Sequence, residues 1–192
     1  MEKLTGLKKI KTSVFISGTG SNLKNLIKFS KTKKSPISIN LIVSNTSKAK
    51  GLKYANQYNI KKKVFNFKDT KITEKNLLTT INKNKIEFIC LAGFLKILSK
   101  NFIKKFGKKI INMHPSLLPK YKGLNTHERA IKNKEKYAGC TVHYVTSKLD
   151  SGKIINQKKV KIAAKDRSVS LAKKILVQEH KLYPAAIMKI FN

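Results

Sequence analysis

Short apolar runs alternate along the chain with segments whose apolar residues recur at helical spacing, and this rhythm predicts the architecture. Val14-Phe15-Ile16 closes a first strand over 11–17, and Leu23, Leu26 and Ile27 lie on one helical face after the turn Gly18-Thr19-Gly20-Ser21-Asn22. Pro36 opens a second strand over 37–43, followed by a helix over 48–58 and a short third strand over 63–67. Thr73 and Asn76 start a polar helix carrying Leu77, Leu78 and Ile81, and Phe88 to Ala92 is a continuous apolar run of the kind buried on both faces of a parallel sheet. Repeated strand-helix-strand units with short loops indicate a doubly wound α/β sheet.

The second half is organised around Ile110-Ile111-Asn112-Met113-His114-Pro115, the core of a strand over 109–114 that follows a short helix over 99–106. Pro115 and Pro119 can neither donate to a sheet nor continue a helix, so the strand must stop at His114. Asn112 and His114 are two apart and share one face, with Met113 on the other. An amide and an imidazole at the carboxyl end of a buried strand sit where open parallel sheets bind ligands. A helix over 126–132 with Thr126 as its cap comes next. A half-buried strand over 140–145 then alternates Thr141 and His143 against Val142 and Tyr144. Its antiparallel neighbour over 154–160 lies across a turn at Leu149-Asp150-Ser151-Gly152. Ser168 caps a last long helix to 190, which Pro184 should bend or interrupt. With no repeat, linker or second domain in view, the expectation is a single domain over 1–192. Its sheet is mostly parallel, with an antiparallel C-terminal edge and a long C-terminal helix.

Composition changes this picture little. Of the 192 residues 41% are hydrophobic, which suits a globular domain with a sizeable core. No apolar run reaches the roughly 18 residues of a membrane span, and the lysine-rich start lacks the apolar segment of a signal peptide, so a cytoplasmic location is expected. Cys90 and Cys140 sit in apolar contexts without metal-ligand spacing and read as buried free thiols. Lys and Arg number 43 against nine Asp and Glu, a net charge of +34 that would attract phosphorylated small molecules. The only arginines are Arg129 and Arg167, however, and the lysines are scattered rather than gathered in a stripe. Specific nucleic-acid surfaces cluster their charge and favour arginine, so neither a specific nucleic-acid nor a membrane partner is expected.

Two constellations carry candidate chemistry. Gly18 to Asn22 follows a strand and opens a helix, where free amides and the helix dipole favour an anion. A dinucleotide fingerprint would need a third glycine where Leu23 stands, and no acid lies between Glu2 and Asp69 to hold a ribose, so a single phosphate is the better fit. Asp150, in a turn after the alternating strand, can raise the pKa of His114 if the turn packs against the central strand end. His127, His143 and His180 have no neighbours at ligand spacing, and no metal is expected.

The stretches Val14 to Leu23, Leu91-Ala92-Gly93-Phe94-Leu95-Lys96-Ile97-Leu98-Ser99, Asn112-Met113-His114-Pro115-Ser116-Leu117-Leu118-Pro119 and Val142 to Gly152 together resemble the phosphoribosylglycinamide formyltransferase family. The resemblance implies a Rossmann-like formyltransferase fold and transfer of a formyl group from 10-formyltetrahydrofolate to the amine of 5-phosphoribosylglycinamide, in purine biosynthesis. It implies Asn112, His114 and Asp150 as the catalytic trio, the first two stabilising an oxyanion and Asp150 raising the His114 pKa. Gly20, Ser21, Asn22 and Glu179 would hold the phosphorylated acceptor. Leu95, Lys96, Ile97 and Leu98, with Asn112 and Thr70, would hold the folate. Lys96 stands where an arginine is common in the family, and a folate-contacting arginine falls here at Thr70 or Lys71. The rival resemblance is to methionyl-tRNA formyltransferase, which shares the Asn, His and Asp but carries a further RNA-binding domain. The expected working form is a monomer or weak homodimer acting on small molecules.

Overall fold

A computed structural model describes residues 8–191. Seven strands form one sheet in the order β3-β2-β1-β4-β5-β6-β7. The strands are β1 (Ile10–Ile16), β2 (Ile37–Ser44), β3 (Lys61–Val64), β4 (Phe88–Leu91), β5 (Ile110–His114), β6 (Tyr137–Tyr144) and β7 (Ile154–Lys161). The first five run parallel, while β6 and β7 are antiparallel to their neighbours, as the sequence predicts. Strand order reverses between β1 and β4, so the crevice outside their carboxyl ends is the natural ligand position of such a sheet.

Six helices cover the two faces: α1 (Ser21–Ser30), α2 (Lys53–Gln57), α3 (Thr70–Lys83), α4 (Lys100–Phe106), α5 (Thr126–Lys132) and α6 (Ser168–Phe191). Val14, Ile16, Ile111 and Met113 pack on one face against Leu23 and Ile27 of α1 and Leu171 and Ile187 of α6. Phe15, Ile89 and Ile110 pack on the other against Leu77 and Ile81 of α3 and Phe102 of α4. Asn112 and His114 share the parity of Ile110 and lie beyond it at the strand's end, opposite in sense to Met113. No helix among the described residues is long and apolar enough to cross a membrane.

Several local expectations are corrected. The third strand lies at Lys61–Val64 rather than 63–67, because Phe67 turns off the sheet edge and is buried edge-to-face on Phe94 at 5.6 Å between ring centroids. The helix expected over 48–58 begins as a 3₁₀ turn at Lys50–Leu52, where the Gly51 N–H donates to the Gly18 carbonyl and ties the segment to the loop after β1. The polar helix starts three residues earlier than Thr73, at Thr70, since the Asp69 carboxylate accepts from the Ile72 N–H and caps it. Thr126 does not cap α5: the N-cap residue is Asn125, and the Thr126 hydroxyl donates instead to the Pro115 carbonyl. β6 begins at Tyr137 and is buried from Ala138 through His143, not half-buried, because it lies between β5 and β7.

The longest helix shows how the chain accommodates an internal proline. Ser168 begins α6, but the cap bond there is made by the Ser170 hydroxyl, which accepts from the Arg167 N–H. Pro184 does not interrupt the helix, which runs on to Phe191. A proline at 184 removes the donor for the His180 carbonyl one turn back. The Asn25 side-chain amide of α1 fills that place, donating to the His180 carbonyl at 2.7 Å.

Candidate active site

The carboxyl end of β5 and the antiparallel β6 beside it set the site's floor. Register pairs Asn112 with His143 and His114 with Thr141, so all four side chains share a face. A register irregularity between Val142 and His143 falls against β7 at this point. Asp150 arrives from the turn after β6 with φ of 45°, a left-handed conformation that aspartate and asparagine tolerate better than most residues.

Asp150 sits between two imidazoles. Its Oδ2 lies 3.3 Å from His114 Nδ1 and accepts from the Gly123 N–H at 2.9 Å, and its Oδ1 lies 3.6 Å from His143 Nε2. His114 Nε2 lies 2.9 Å from the Tyr121 carbonyl and donates to it. His143 Nδ1 donates to the Tyr144 carbonyl at 2.9 Å, which leaves Nε2 to accept from the Asn112 amide at 3.2 Å. All three charged or chargeable side chains are less than a tenth exposed.

Burial would raise the Asp150 pKa, but the His143 imidazole close beside it, the hydrogen bond from the Gly123 amide and the charge of His114 outweigh it and leave the carboxyl below its ordinary range. For His114 the outcome corrects the expectation. Burial, the largest influence, pushes its pKa below the ordinary 6.5. The Tyr121 carbonyl and the Asp150 carboxylate push upward without overcoming it, while the charges of His143 and Arg129 add to the lowering. Asp150 thus acts in the anticipated direction on a histidine whose net shift is the other way.

Lys96, Ile97 and Leu98 line a cleft with Asn112, His143, Val145 and Asp150, so the expected folate segment and the polar floor meet. Ile97 is 62% exposed in that lining, whereas Leu95, 64% exposed, does not line the cleft. Thr70 is not part of this cleft; it lines a separate groove between α3 and α4 with Lys71, Glu74 and Ser99. The loop after β1 is tied to the same end of the sheet, since the Ser17 N–H donates to the Gly93 carbonyl and the Leu95 N–H donates to the Ser17 hydroxyl.

Gly20 precedes α1 at φ of 75°, and a Cβ there would come within 2.6 Å of the Gly51 Cα. Glycine is required at this position by backbone packing alone, whatever binds there. At the second residue of α1, the Asn22 amide donates to Glu179 Oε2 of α6 at 2.6 Å, while Asn22 Oδ1 is buried with no partner among the described residues. Burial raises the Glu179 pKa, and the Asn22 hydrogen bond only partly offsets this. Asn22 and Glu179, 157 positions apart, are therefore brought together.

Sequence reasoning missed His143, the Tyr121 carbonyl and the Gly123 amide. The alternation along β6 placed His143 on a defined face, but only the pairing register shows that this face carries Asn112. Backbone groups leave no residue-type signal at all.

The formyl transferase family model matches residues 10–187. The chain is 37% identical over 177 residues to phosphoribosylglycinamide formyltransferase of Escherichia coli K12, covering 91% of this chain and 84% of that protein. It is also 37% identical to the human trifunctional purine biosynthetic protein adenosine-3, over 95% of this chain but only 18% of that protein's length. The structure of phosphoribosylglycinamide formyltransferase from Anaplasma phagocytophilum superposes with a TM-score of 0.88 at 42% identity, covering 94% of this chain and 85% of that one. That of the Brucella melitensis enzyme gives 0.90 at 39% identity, covering 95% and 96%. Sequence and fold agree over most of the chain, which belongs to the formyl transferase family.

Proposed function

We propose that this chain transfers the formyl group of 10-formyltetrahydrofolate to the amine of 5-phosphoribosylglycinamide. The observation that carries the proposal is the meeting of Asn112, His143 and Asp150 in the cleft walled by Lys96, Ile97 and Leu98, with His114 on Asp150 at 3.3 Å. The relatives' names support the acceptor, and the paired Asn22 and Glu179 beside the loop after β1 support its place.

In the transfer, the acceptor's amine nitrogen bonds to the formyl carbon, and the carbonyl electron pair moves onto oxygen. Asn112 is suited to that oxygen, because His143 accepts from the amide and fixes its orientation. The bond from carbon to the folate nitrogen then breaks; that nitrogen must gain a proton and the former amine must lose one. The buried His114 and Asp150 pair can hold or move a proton next to these atoms. The cleft holds about 70 Å³, far below the roughly 300–1,000 Å³ of a small-molecule site. Most of the folate would therefore lie outside it, past the exposed side chains of Ile97 and Leu149.

Purified protein given 10-formyltetrahydrofolate and 5-phosphoribosylglycinamide should yield formylated ribonucleotide, with no formylation of methionyl-tRNA. Transfer to the tRNA alone, or to neither acceptor, would overturn the proposal.

A further inference from the structure

Both His114 and Asp150 are held by the backbone of one short loop. The Tyr121 carbonyl accepts from His114 Nε2 at 2.9 Å, and the Gly123 N–H donates to Asp150 Oδ2 at 2.9 Å. Three residues of this loop have positive φ: Tyr121 at 57°, Gly123 at 77° and Asn125 at 57°. Such a backbone persists only where its surroundings over-determine it.

We propose that Arg129 of α5 is the positioning residue that fastens this loop and thereby sets the geometry of His114 and Asp150. Its Nη1 donates to the Lys122 carbonyl at 2.7 Å and, more weakly, to the Leu124 carbonyl at 3.4 Å. Its guanidinium lies over the Tyr121 ring, 5.0 Å from the centroid. Lys122 lies between the two residues whose backbone groups hold the catalytic pair, so Nη1 grips the loop where it matters. The far end of Tyr121 is fixed separately: its hydroxyl donates to Glu135 at 2.8 Å and accepts from the Asn133 amide at 2.9 Å.

Residue type supports this role. In a chain with 43 basic residues only two are arginine, and one of them stands here. A lysine ammonium is a point charge that can reach a carbonyl but cannot lay a planar guanidinium over the Tyr121 ring at the same time. Arg129 is exposed and touches no reacting atom, so beyond the lowering its charge exerts on His114 it acts through the loop.

The test separates its geometry from its charge. The groups that bear on His114 are the Tyr121 carbonyl, Asp150 from the turn, His143 from β6 and Arg129 from α5; His127, also of α5, feels His114 in turn. Arg129→Lys keeps every charge but loses the planar guanidinium that lies over the Tyr121 ring while bonding the Lys122 carbonyl. As the Tyr121 carbonyl lets go, the His114 titration midpoint, followed by NMR in the free protein, should move down. kcat should fall about tenfold, with KM for the folate little changed. Tyr121→Leu keeps the carbonyl and all charges but removes the ring beneath the guanidinium together with the hydroxyl held by Glu135 and Asn133, whereas Tyr121→Phe removes the hydroxyl alone; the midpoint should move the same way in Tyr121→Leu and clearly less in Tyr121→Phe. An unmoved midpoint and unchanged kcat in folded Arg129→Lys protein, even with a lower Tm, or equal shifts in Tyr121→Leu and Tyr121→Phe, would make Arg129 a merely structural residue and overturn the assignment. The kcat readout rests on the formyl-transfer proposal, whereas the midpoint needs no substrate, so the two can fail separately.

Discussion

Asn25 on α1 supplies the hydrogen-bond donor that Pro184 withholds from the His180 carbonyl on α6. The bond also joins the two helices next to the pair formed by Asn22 and Glu179.

Asn25→Leu should therefore strand a partly buried carbonyl, lowering stability by about 1 kcal/mol. Pro184→Ala restores the helical N–H, so the Asn25→Leu cost should shrink in that background. Chemical denaturation of the four-member cycle measures the coupling. Additive costs would show that Asn25 does not replace the missing donor.

At the loop after β1, Gly20→Ala should destabilise the protein by about 1–3 kcal/mol, because an alanine must adopt a φ of 75° and its Cβ would meet Gly51. Loss of activity in that variant would not identify a phosphate site. Ser21→Asp, at the first residue of α1, is the cleaner probe: a carboxylate favoured by the helix terminus should repel a phosphate there. KM for the acceptor should rise about tenfold or more with Tm unchanged. An unaltered KM would remove Ser21 from the acceptor site.

The elements most legible in the sequence were those whose signal is local. Val14-Phe15-Ile16 and Phe88 to Leu91 read as buried strands because both faces are covered, and Pro115 stopped β5 where the structure stops it. What failed depended on distant partners. Phe67 left the predicted third strand to pack on Phe94, and Thr126 gave up its capping role to bond the Pro115 carbonyl. In the site, strand alternation put Asn112 and His114 on one face, and Asp150 could be set beside His114 only on condition that its turn packed there, as it does at 3.3 Å; the roles proposed for the three came from the family resemblance. The register that sets His143 opposite Asn112, and the burial that depresses the His114 pKa, are properties of the assembled sheet.

Asn112→Ala should lower kcat by ~10² to 10³, the usual cost of losing one donor to a developing oxyanion. The substitution also frees His143 Nε2, its partner at 3.2 Å, so Tm should be measured alongside. A kcat near that of the unaltered protein, in folded material, would reassign the oxyanion to another donor.

Asp150→Asn tests the acid-base pair with little disturbance of shape. Asparagine tolerates the φ of 45°, and its carbonyl can still accept from the Gly123 N–H. Its loss is the charge beside both imidazoles. In the folded protein burial already holds the His114 pKa below 6.5, and Asp150 is one of two influences holding it up, so the variant's His114 midpoint should lie lower still. If the charged imidazole serves the reaction, the high-pH limb of kcat/KM should move to lower pH. The rate near neutrality should then fall by ~10² to 10⁴, as for loss of a general acid-base group. Stability follows the same linkage. A histidine whose folded pKa is depressed takes up protons more readily when unfolded, so its contribution is present above about pH 6.5 and declines as pH falls toward the folded value. Lowering that value further widens the interval and should steepen the acid loss of Tm in this range. Asp150's own depressed pKa gives the unaltered protein stability that is present above the ordinary carboxylate range and is lost as pH falls through the folded value; the variant lacks it. A turn-shaping role alone predicts a lower Tm at every pH with an unmoved kcat/KM profile, and kcat/KM and Tm measured against pH for both proteins decide between the two.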